Sequence, residues 1–220
     1  MSGRLRIDVF LDFICPWCLI GKRQLERAQA LLLGKYPDVE FTTVWHGVQL
    51  LPELPVQGTP FVEFYRKRLG SADAVRMRQA QVKQAALAVG ETIDFDRIVT
   101  MPNTADAHRL LERISVLGNS QQRDDLIERL FDAYFHLGED LGCRETLLSI
   151  AQSCGFDSGF VADCLFGNGE PFVGDPGATG GVPCFQFDRR VTVVGAHPAE
   201  DLFGVMEEAL LDRSGERQSS

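Results

Sequence analysis

The chain begins with an alternating apolar run that passes directly into a Cys-Pro-Trp-Cys motif, and this order constrains its fold most. Residues 4–13 (RLRIDVFLDF) carry apolar side chains at every second position, with Phe10 adding bulk on the other side, which predicts a central strand. Helical spacing of apolar residues predicts a helix over 17–33, and the segment 39–48 predicts a second strand. The chain therefore opens β-α-β, with the motif at 15–18 between the first strand and the helix.

The middle of the chain has a helical pattern and is bounded by two segments rich in Gly and Pro. The connector 49–60 is a candidate domain boundary, and the segment 167–183 predicts a loop. Between them the periodicity predicts helices over 60–69, 72–89, 103–117, 122–137, 144–153 and 157–166. The runs CFQFD and VTVVG predict a β-hairpin, and a helix after Pro198 follows. The order β-α-β, helical block, β-β-α predicts an α/β fold with an inserted helical domain.

Composition excludes several classes of partner. The chain has 220 residues, of which 45% are apolar, and this is enough for a sizeable core. A formal net charge of −9 repels phosphate, so we expect neither nucleic acid nor an anionic membrane as a partner. The sequence has neither the apolar run of a membrane span nor the form of a signal peptide, which predicts a cytoplasmic protein. In that reducing compartment most of the six cysteines are expected to remain thiols.

The spacing of Cys15 and Cys18 favours redox chemistry. A thiol reacts as its thiolate, which the N–H groups and dipole of a helix N-terminus stabilise. Cys15 is expected at the helix cap, and Cys18 one turn further in, more buried but close enough to form a disulfide. Access therefore assigns Cys15 as the nucleophile and Cys18 as the residue that resolves a mixed disulfide. Pro16 and Trp17 are candidate substrate-binding residues, and Trp17 is expected to be exposed beside the sulfur.

Two other interpretations of the cysteine pair are half of a zinc site and two ordinary core residues. A zinc site needs two further ligands at suitable spacing, and Cys154 and Cys164, ten residues apart, do not form such a second pair. Pro16 and the junction between strand and helix favour the redox pair, and we expect no metal.

The segment GGVPCF, residues 180–185, completes a resemblance to a known family. Cys-Pro-Trp-Cys after the first strand and Gly-Val-Pro before the third, around a helical insert, resemble the DsbA-like thiol-disulfide oxidoreductases. The segments DFICPWC, MPNTADAHRL, LFDAYF and VGAHP are similar to the FrnE-like branch. The chain also resembles 2-hydroxychromene-2-carboxylate isomerases and kappa-class glutathione transferases, which typically carry Ser where Cys15 stands.

The resemblance implies a thioredoxin-like fold interrupted by an all-helical domain. The expected parts are a thioredoxin-like domain at 1–55 and 175–214, a helical insertion at 60–170, and a disordered tail at 215–220. The resemblance also implies that the Val182–Pro183 peptide bond is cis and faces the cysteine pair. There the backbone of Val182 would pair with an extended substrate, and Pro183 would keep metal from the thiols.

Six further residues are weaker candidates for the site: Asp12, His46, Asn103, His108, Cys184 and His197. Asn103 and His108 are candidates to line the groove from the helical side, with helix capping and a structural histidine as the alternatives. Asp12 precedes Cys15 by three residues, where it perturbs the thiol or caps the turn.

The remaining candidates lie in the expected thioredoxin-like domain. His46 ends the second strand, where the alternatives are that it faces the cleft or, as we favour, has a structural role. His197 is expected near the rim of the site. Cys184 is either a third thiol near the site or a buried strand cysteine. Cys143, Cys154 and Cys164 are expected to be buried or half-buried thiols, and the alternative is a regulatory disulfide among them, which their spacing does not support.

Three functions are compatible with these residues. The first is a dithiol-disulfide oxidoreductase that acts on protein or small-molecule disulfides, mainly as a reductase or isomerase in a reducing cytoplasm. The second is a glutathione-dependent isomerase or transferase, and the third is a redox sensor without enzymatic activity. No bound cofactor is expected, glutathione or another thiol is a candidate co-substrate, and family habit suggests a homodimer.

Overall fold

The computed structural model of the chain describes residues 3–175, 177 and 180–218. The strands are β1 (Gly3–Leu11), β2 (Val39–Gly47), β3 (Thr59–Pro60), β4 (Thr100–Met101), β5 (Cys184–Phe187) and β6 (Val191–Val194). The helices are α1 (Pro16–Lys35), α2 (Phe61–Leu69), α3 (Ala72–Ala88), α4 (Ala105–Leu117), α5 (Ser120–Phe131), α6 (Arg144–Ser153), α7 (Ser158–Val161) and α8 (Ala199–Gln218). A helix long and apolar enough to cross a membrane is not found in these ranges.

The chain divides into two compact units. One comprises Met1–Leu11, Trp17–His46 and Asp175–Ser220, and the other comprises Asp12–Pro16 and Gly47–Gly174. We call the first the thioredoxin-like unit and the second the helical unit. The expected α/β fold with a helical insertion is confirmed.

The thioredoxin-like unit is built on a four-stranded sheet in the order β2-β1-β5-β6. β1 pairs antiparallel with β5, and β5 pairs antiparallel with β6. β1 lies between β2 and β5, and residues 7–11 are buried, so side chains on both of its faces are covered. Its alternate residues Leu5, Ile7 and Val9 pack into one core with apolar residues of α1, β5 and α8. This core gives α1 a fixed base against the sheet.

The limits of two elements in this unit differ from those expected. The first strand ends at Leu11 rather than at residue 13, because the Asp12 main-chain oxygen accepts the Cys15 N–H at 3.1 Å and closes a turn. The last helix continues to Gln218, so residues 215–218 are helical and not a disordered tail. Arg and Gln in that stretch are good helix formers. Residues 219–220 lie outside the described part of the chain.

The helical unit contains α2 to α7 and a short antiparallel ribbon, β3 with β4, which the sequence did not indicate. Its core consists of apolar residues of α4, α5 and α6: Leu110, Leu111, Ile114, Leu126, Ile127, Leu130, Phe131, Leu147 and Ile150. The helix expected over 122–137 begins earlier, because Asn119 and Gln122 form a capping box at its start. A π-helical turn, Asp132–Leu137, follows and ends at Gly138, which has a positive φ of 70°.

The helical unit begins earlier in sequence than expected. Residues 47–55 belong to it rather than to the thioredoxin-like part. Gln49 donates to Asn103 at 2.9 Å, and Asn103 donates to the Leu54 carbonyl at 2.7 Å. These bonds attach the connector to the start of α4.

Candidate active site

The cysteine motif lies where β1 gives way to α1. Cys15 directly follows the turn that starts at Asp12 and directly precedes α1, whose first turn contains Cys18. Cys15 is 8% exposed and Cys18 is 2% exposed, so Cys15 is the more accessible sulfur. At the start of a helix a thiolate meets unpaired N–H groups and the positive end of the helix dipole.

The two residues between the cysteines are both partly buried. Trp17 is therefore not the exposed aromatic that the sequence led us to expect. Trp17 lies in the first turn of α1.

Asp12 is fully buried and holds the turn that carries Cys15. One carboxylate oxygen accepts the Leu50 N–H at 2.8 Å. The other lies 3.2 Å from His108 Nε2 and 3.5 Å from the Ile14 nitrogen. The same residue accepts the Cys15 N–H through its main-chain oxygen. Asp12 is thus a structural anchor for the residue that precedes α1.

His108 is also fully buried, on α4. Its ring stacks between Phe13 and Phe172, with both ring centroids 5.1 Å away. A Cβ at position 47 would lie 2.5 Å from its Nδ1, so only Gly47 leaves room for the ring. His108 Nδ1 has no hydrogen-bond partner. His108 and Asp12, two weaker candidates, are therefore brought together.

Asn103 has a structural role at the start of α4. Its side-chain oxygen accepts the Ala105 N–H, the first N–H of the helix, at 3.0 Å. The same oxygen accepts a hydrogen bond from the Gln49 side-chain nitrogen. The Gln49 side-chain oxygen in turn accepts the Phe172 N–H at 2.7 Å. Asn103 thereby connects three segments of the helical unit.

Pro183 packs against α1 within the thioredoxin-like unit. The Val182–Pro183 peptide bond is cis. A Cβ at Gly21 would lie 2.8 Å from Pro183 Cγ, so this glycine allows the close approach. Gly21 follows Cys18 by three residues, which places both on one side of α1. The Pro183 carbonyl accepts the Gly195 N–H at 2.7 Å, and His197, exposed nearby, contacts the Val194 carbonyl at 3.0 Å.

His46 belongs to a charged cluster of the thioredoxin-like unit. Its Nε2 lies 2.8 Å from the buried Asp8 carboxylate, which also accepts two bonds from Arg6. Burial acts to raise the pKa of Asp8, but the bonds from Arg6 and His46 outweigh it and lower the pKa. The His46 ring stacks on Phe10 with centroids 4.5 Å apart. These contacts place His46 in a cluster with Asp8 and Phe10.

The other cysteines lie in separate settings. Cys184 is fully buried in β5, opposite Phe10, so its sulfur is not accessible as a third thiol. Burial raises the pKa of Cys154 and raises that of Cys164 to about 11. Cys143 is half-buried before α6. A group of three or more His, Cys, Asp or Glu side chains able to hold a metal is not found among the described residues.

Sequence reasoning missed Gln49, Gly21 and Tyr65. Burial raises the pKa of Tyr65, and the Cys15 side chain acts in the same direction, so the phenol lies within electrostatic range of that sulfur. Tyr65 and Gln49 lie far from the motif in sequence, so no local pattern indicates their positions. The helical periodicity of α1 does not explain why a glycine stands at position 21. The reason is Pro183, which packs against the helix at that point.

Comparison with known proteins agrees with this architecture. A family model described as DSBA-like thioredoxin domain matches residues 6–166. The structure is similar to that of a probable DsbA oxidoreductase from Streptomyces coelicolor, with a TM-score of 0.78, 24% identity, and coverage of 93% of this chain and 89% of that one. It is also similar to a 2-hydroxychromene-2-carboxylate isomerase, with a TM-score of 0.57, 14% identity and coverage of 98% and 100%. A third similar structure is the cytosolic disulfide reductase DsbM from Pseudomonas aeruginosa with GSH, with a TM-score of 0.54, 15% identity and coverage of 97% and 99%.

These structural likenesses show a shared fold, and the family model covers well over half of the chain. The chain belongs to the DSBA-like thioredoxin domain family.

Proposed function

We propose that this chain is a dithiol-disulfide oxidoreductase in which Cys15 is the nucleophile and Cys18 the resolving cysteine. The observation that carries the proposal is the position of Cys15 directly before α1, with Cys18 buried in the first turn. A helix N-terminus favours a thiolate at the first of these positions. Membership of the DSBA-like family supports the proposal.

Two exchange steps balance the reaction in the reducing direction. The Cys15 thiolate attacks one sulfur of a substrate disulfide, forms a mixed disulfide with that half, and releases the other half as a thiolate. The Cys18 thiolate then attacks the Cys15 sulfur, forms the Cys15–Cys18 disulfide and releases the second half. Two electrons pass to the substrate, and the two protons of the cysteines go to the two released thiols. Two glutathione molecules, which become glutathione disulfide, would return the enzyme to its dithiol form.

We propose that Val182 and Pro183 bind the substrate beside the cysteine pair. The support is the contact of Pro183 with α1 at Gly21, on the same side of the helix as Cys18. The backbone of Val182 would pair with an extended peptide in a strand-like manner, which is a common form of peptide recognition.

The proposed direction follows from the proposed compartment. In a reducing cytoplasm the chain would act as a disulfide reductase or isomerase. The fold shared with a protein named as a cytosolic disulfide reductase with GSH supports glutathione as the co-substrate.

The proposal is tested by reduction of 2-hydroxyethyl disulfide with glutathione, coupled to glutathione reductase and NADPH. We expect the wild-type chain to accelerate NADPH consumption and Cys15→Ser to abolish the acceleration. We expect Cys18→Ser to accumulate a mixed disulfide on Cys15, detected by mass spectrometry. Cys143→Ser is the matched control, because Cys143 is a half-buried thiol outside the motif, and it should retain the rate. Full activity in Cys15→Ser, or full turnover of every substrate in Cys18→Ser, would reject the dithiol mechanism.

The second candidate is a glutathione-dependent isomerase or transferase. The observation that favours it is the fold shared with 2-hydroxychromene-2-carboxylate isomerase over 98% of this chain. In that class we expect Ser at position 15, where it activates glutathione and forms no disulfide. Tight glutathione binding that survives Cys18→Ser, together with the absence of a reversible disulfide, would favour this candidate.

A further inference from the structure

Asp12 and His108 are buried ionisable groups to which the exchange mechanism assigns no role. They lie on the turn before α1 and on α4, and both belong to the helical unit. Both side chains are fully buried, and a carboxylate oxygen of Asp12 lies 3.2 Å from His108 Nε2. Because burying a charge is costly unless it is compensated, the protonation of this pair needs an explanation.

The hydrogen bonds at the pair limit the forms that it can take. The Asp12 carboxylate accepts the Leu50 N–H at 2.8 Å and meets the imidazole on its other oxygen. If His108 were neutral with its hydrogen on Nε2, the pair would keep a full negative charge away from water. Nδ1 has no hydrogen-bond partner in either form: it is a lone pair in this one and an N–H in the form with a shared proton. With one shared proton the net charge is zero, and Nδ1 carries a hydrogen whichever partner formally holds the proton.

The backbone of Asp12 also lies close to that of the reacting cysteine. The bond from the Cys15 N–H to the Asp12 oxygen, at 3.1 Å, closes a turn from residue i to residue i+3. Such a turn brings the two Cα atoms within about 7 Å of each other. An uncompensated charge on Asp12 would therefore oppose the Cys15 thiolate, because like charges repel.

The other titratable groups around the pair include two tyrosines and three charged side chains. Burial raises the pKa of Tyr134 well above its ordinary value, and Tyr65, the pair's carboxylate and Asp140 act in the same direction. Burial also raises the pKa of Glu112, one turn further on α4, while the pair's imidazole and Arg109 act in the opposite direction, as positive charges do.

We propose that Asp12 and His108 are positioning residues that hold the Cys15 turn as a buried pair with one shared proton and no net charge. The carboxylate orders the turn, and the imidazole removes the charge that would otherwise oppose the thiolate. This inference rests on the proposed function, because a charge beside Cys15 matters only if its thiolate reacts.

The first test is made on the unaltered protein by nitrogen NMR of ¹⁵N-labelled histidine. The chain has four histidines, so the signals can be assigned with Gln variants of the other three. We expect the His108 Nδ1 to show the shift of a protonated nitrogen near pH 7. A bare Nδ1 with a hydrogen on Nε2, the tautomer that leaves the pair negative, would overturn the proposal. This measurement does not depend on the folding of any His108 variant.

The second test compares Cys15 alkylation by iodoacetamide, resolved by peptide mass spectrometry, in variants that keep the hydrogen bonds. At the separation of the two Cα atoms, about 7 Å, a unit charge would change the thiolate fraction by about threefold in water and by about fiftyfold at an effective dielectric constant of about 20. We therefore expect His108→Gln, which still donates to Asp12 but cannot carry the charge, to lower the rate within that range. Adding Asp12→Asn to His108→Gln should restore the rate, because no charge remains.

The restoration separates this proposal from a purely structural role. If the pair only packs the turn, the double variant would be no more reactive than His108→Gln, and that result would overturn the proposal, as would an unchanged rate in His108→Gln. His136→Gln is the matched control, since His136 also contacts carboxylates, Asp132 at 2.7 Å and Glu91 at 3.0 Å, and it should leave the rate unchanged. Absence of a reversible Cys15–Cys18 disulfide in the wild type would instead reject the proposed function.

Discussion

Gly21 allows Pro183 to approach α1, and replacing it tests whether this contact orders the thioredoxin-like unit. In Gly21→Ala the new methyl group would lie 2.8 Å from Pro183 Cγ and 3.1 Å from Phe185 Cζ. Both distances are shorter than ordinary contacts, so the neighbours must move. Overpacking of this kind costs about 1–3 kcal/mol. Gly34, near the end of the same helix, is the matched control, because an alanine there would meet no atom within 4 Å.

The two variants share the gain in helix propensity, which is at most about 1 kcal/mol, so their difference isolates the packing cost. We expect Gly34→Ala to equal or exceed the wild type in free energy of unfolding, and Gly21→Ala to lie about 1–3 kcal/mol below Gly34→Ala. In a domain of this size that difference corresponds to roughly 2–12 °C in Tm. Urea denaturation and calorimetry measure both quantities. If Gly21→Ala proved as stable as Gly34→Ala, the close packing of Pro183 on α1 would be refuted.

Three further predictions concern other parts of the chain. We expect Asp8→Asn to lower the free energy of unfolding by about 1–3 kcal/mol at pH 7. Because hydrogen bonds lower the pKa of Asp8 in the folded state, its stabilisation is present above the unfolded pKa and is lost as the pH falls through the folded pKa. Urea titrations should therefore show the difference shrinking towards pH 3, and a constant difference would contradict this. Burial raises the pKa of Cys164 to about 11, so peptide mass spectrometry at pH 8 should find it alkylated far more slowly in folded than in urea-unfolded protein; equal rates would disprove its protection. The Asp106 carboxylate accepts N–H bonds from Phe166 at 3.0 Å and Gly167 at 2.8 Å. Asp106→Ala should therefore accelerate amide hydrogen exchange at both residues, and unchanged exchange would show that these bonds do not protect the two amides.

Much of the fold follows from local patterns in the sequence. The alternation of β1, the periodicity of the helices and the capping and glycine signals at their ends are properties of neighbouring residues. The predicted end of β1, at residue 13, was wrong because Phe13 continues the apolar alternation past Leu11. What stops the strand is the turn that Asp12 forms with Cys15, and the Asp12 side chain is held there by Leu50 and His108, residues far away in sequence. The ribbon of β3 and β4 is too short to produce a period of its own.

The candidate site divides in the same way. The positions of Cys15 and Cys18 could be predicted, because the motif and the helix start are adjacent in the chain. The burial of Trp17 could not, since it depends on what packs around α1. The contact between Asp12 and His108 could not be predicted either, because it joins positions 96 residues apart. The space for the His108 ring depends on a third position, Gly47. The assignment to a FrnE-like branch and the cytoplasmic location stay predictions.

The claim that Cys15 and Cys18 form a working redox couple is tested most directly by equilibrating the wild-type chain in graded mixtures of glutathione and glutathione disulfide. Rapid thiol trapping and peptide mass spectrometry then report the state of each cysteine. We expect the peptide that contains both residues to lose two hydrogen atoms reversibly, with the same end point from the reduced and the oxidised side. A pair that stays reduced in every mixture, or that only binds glutathione without forming an internal disulfide, would contradict the account.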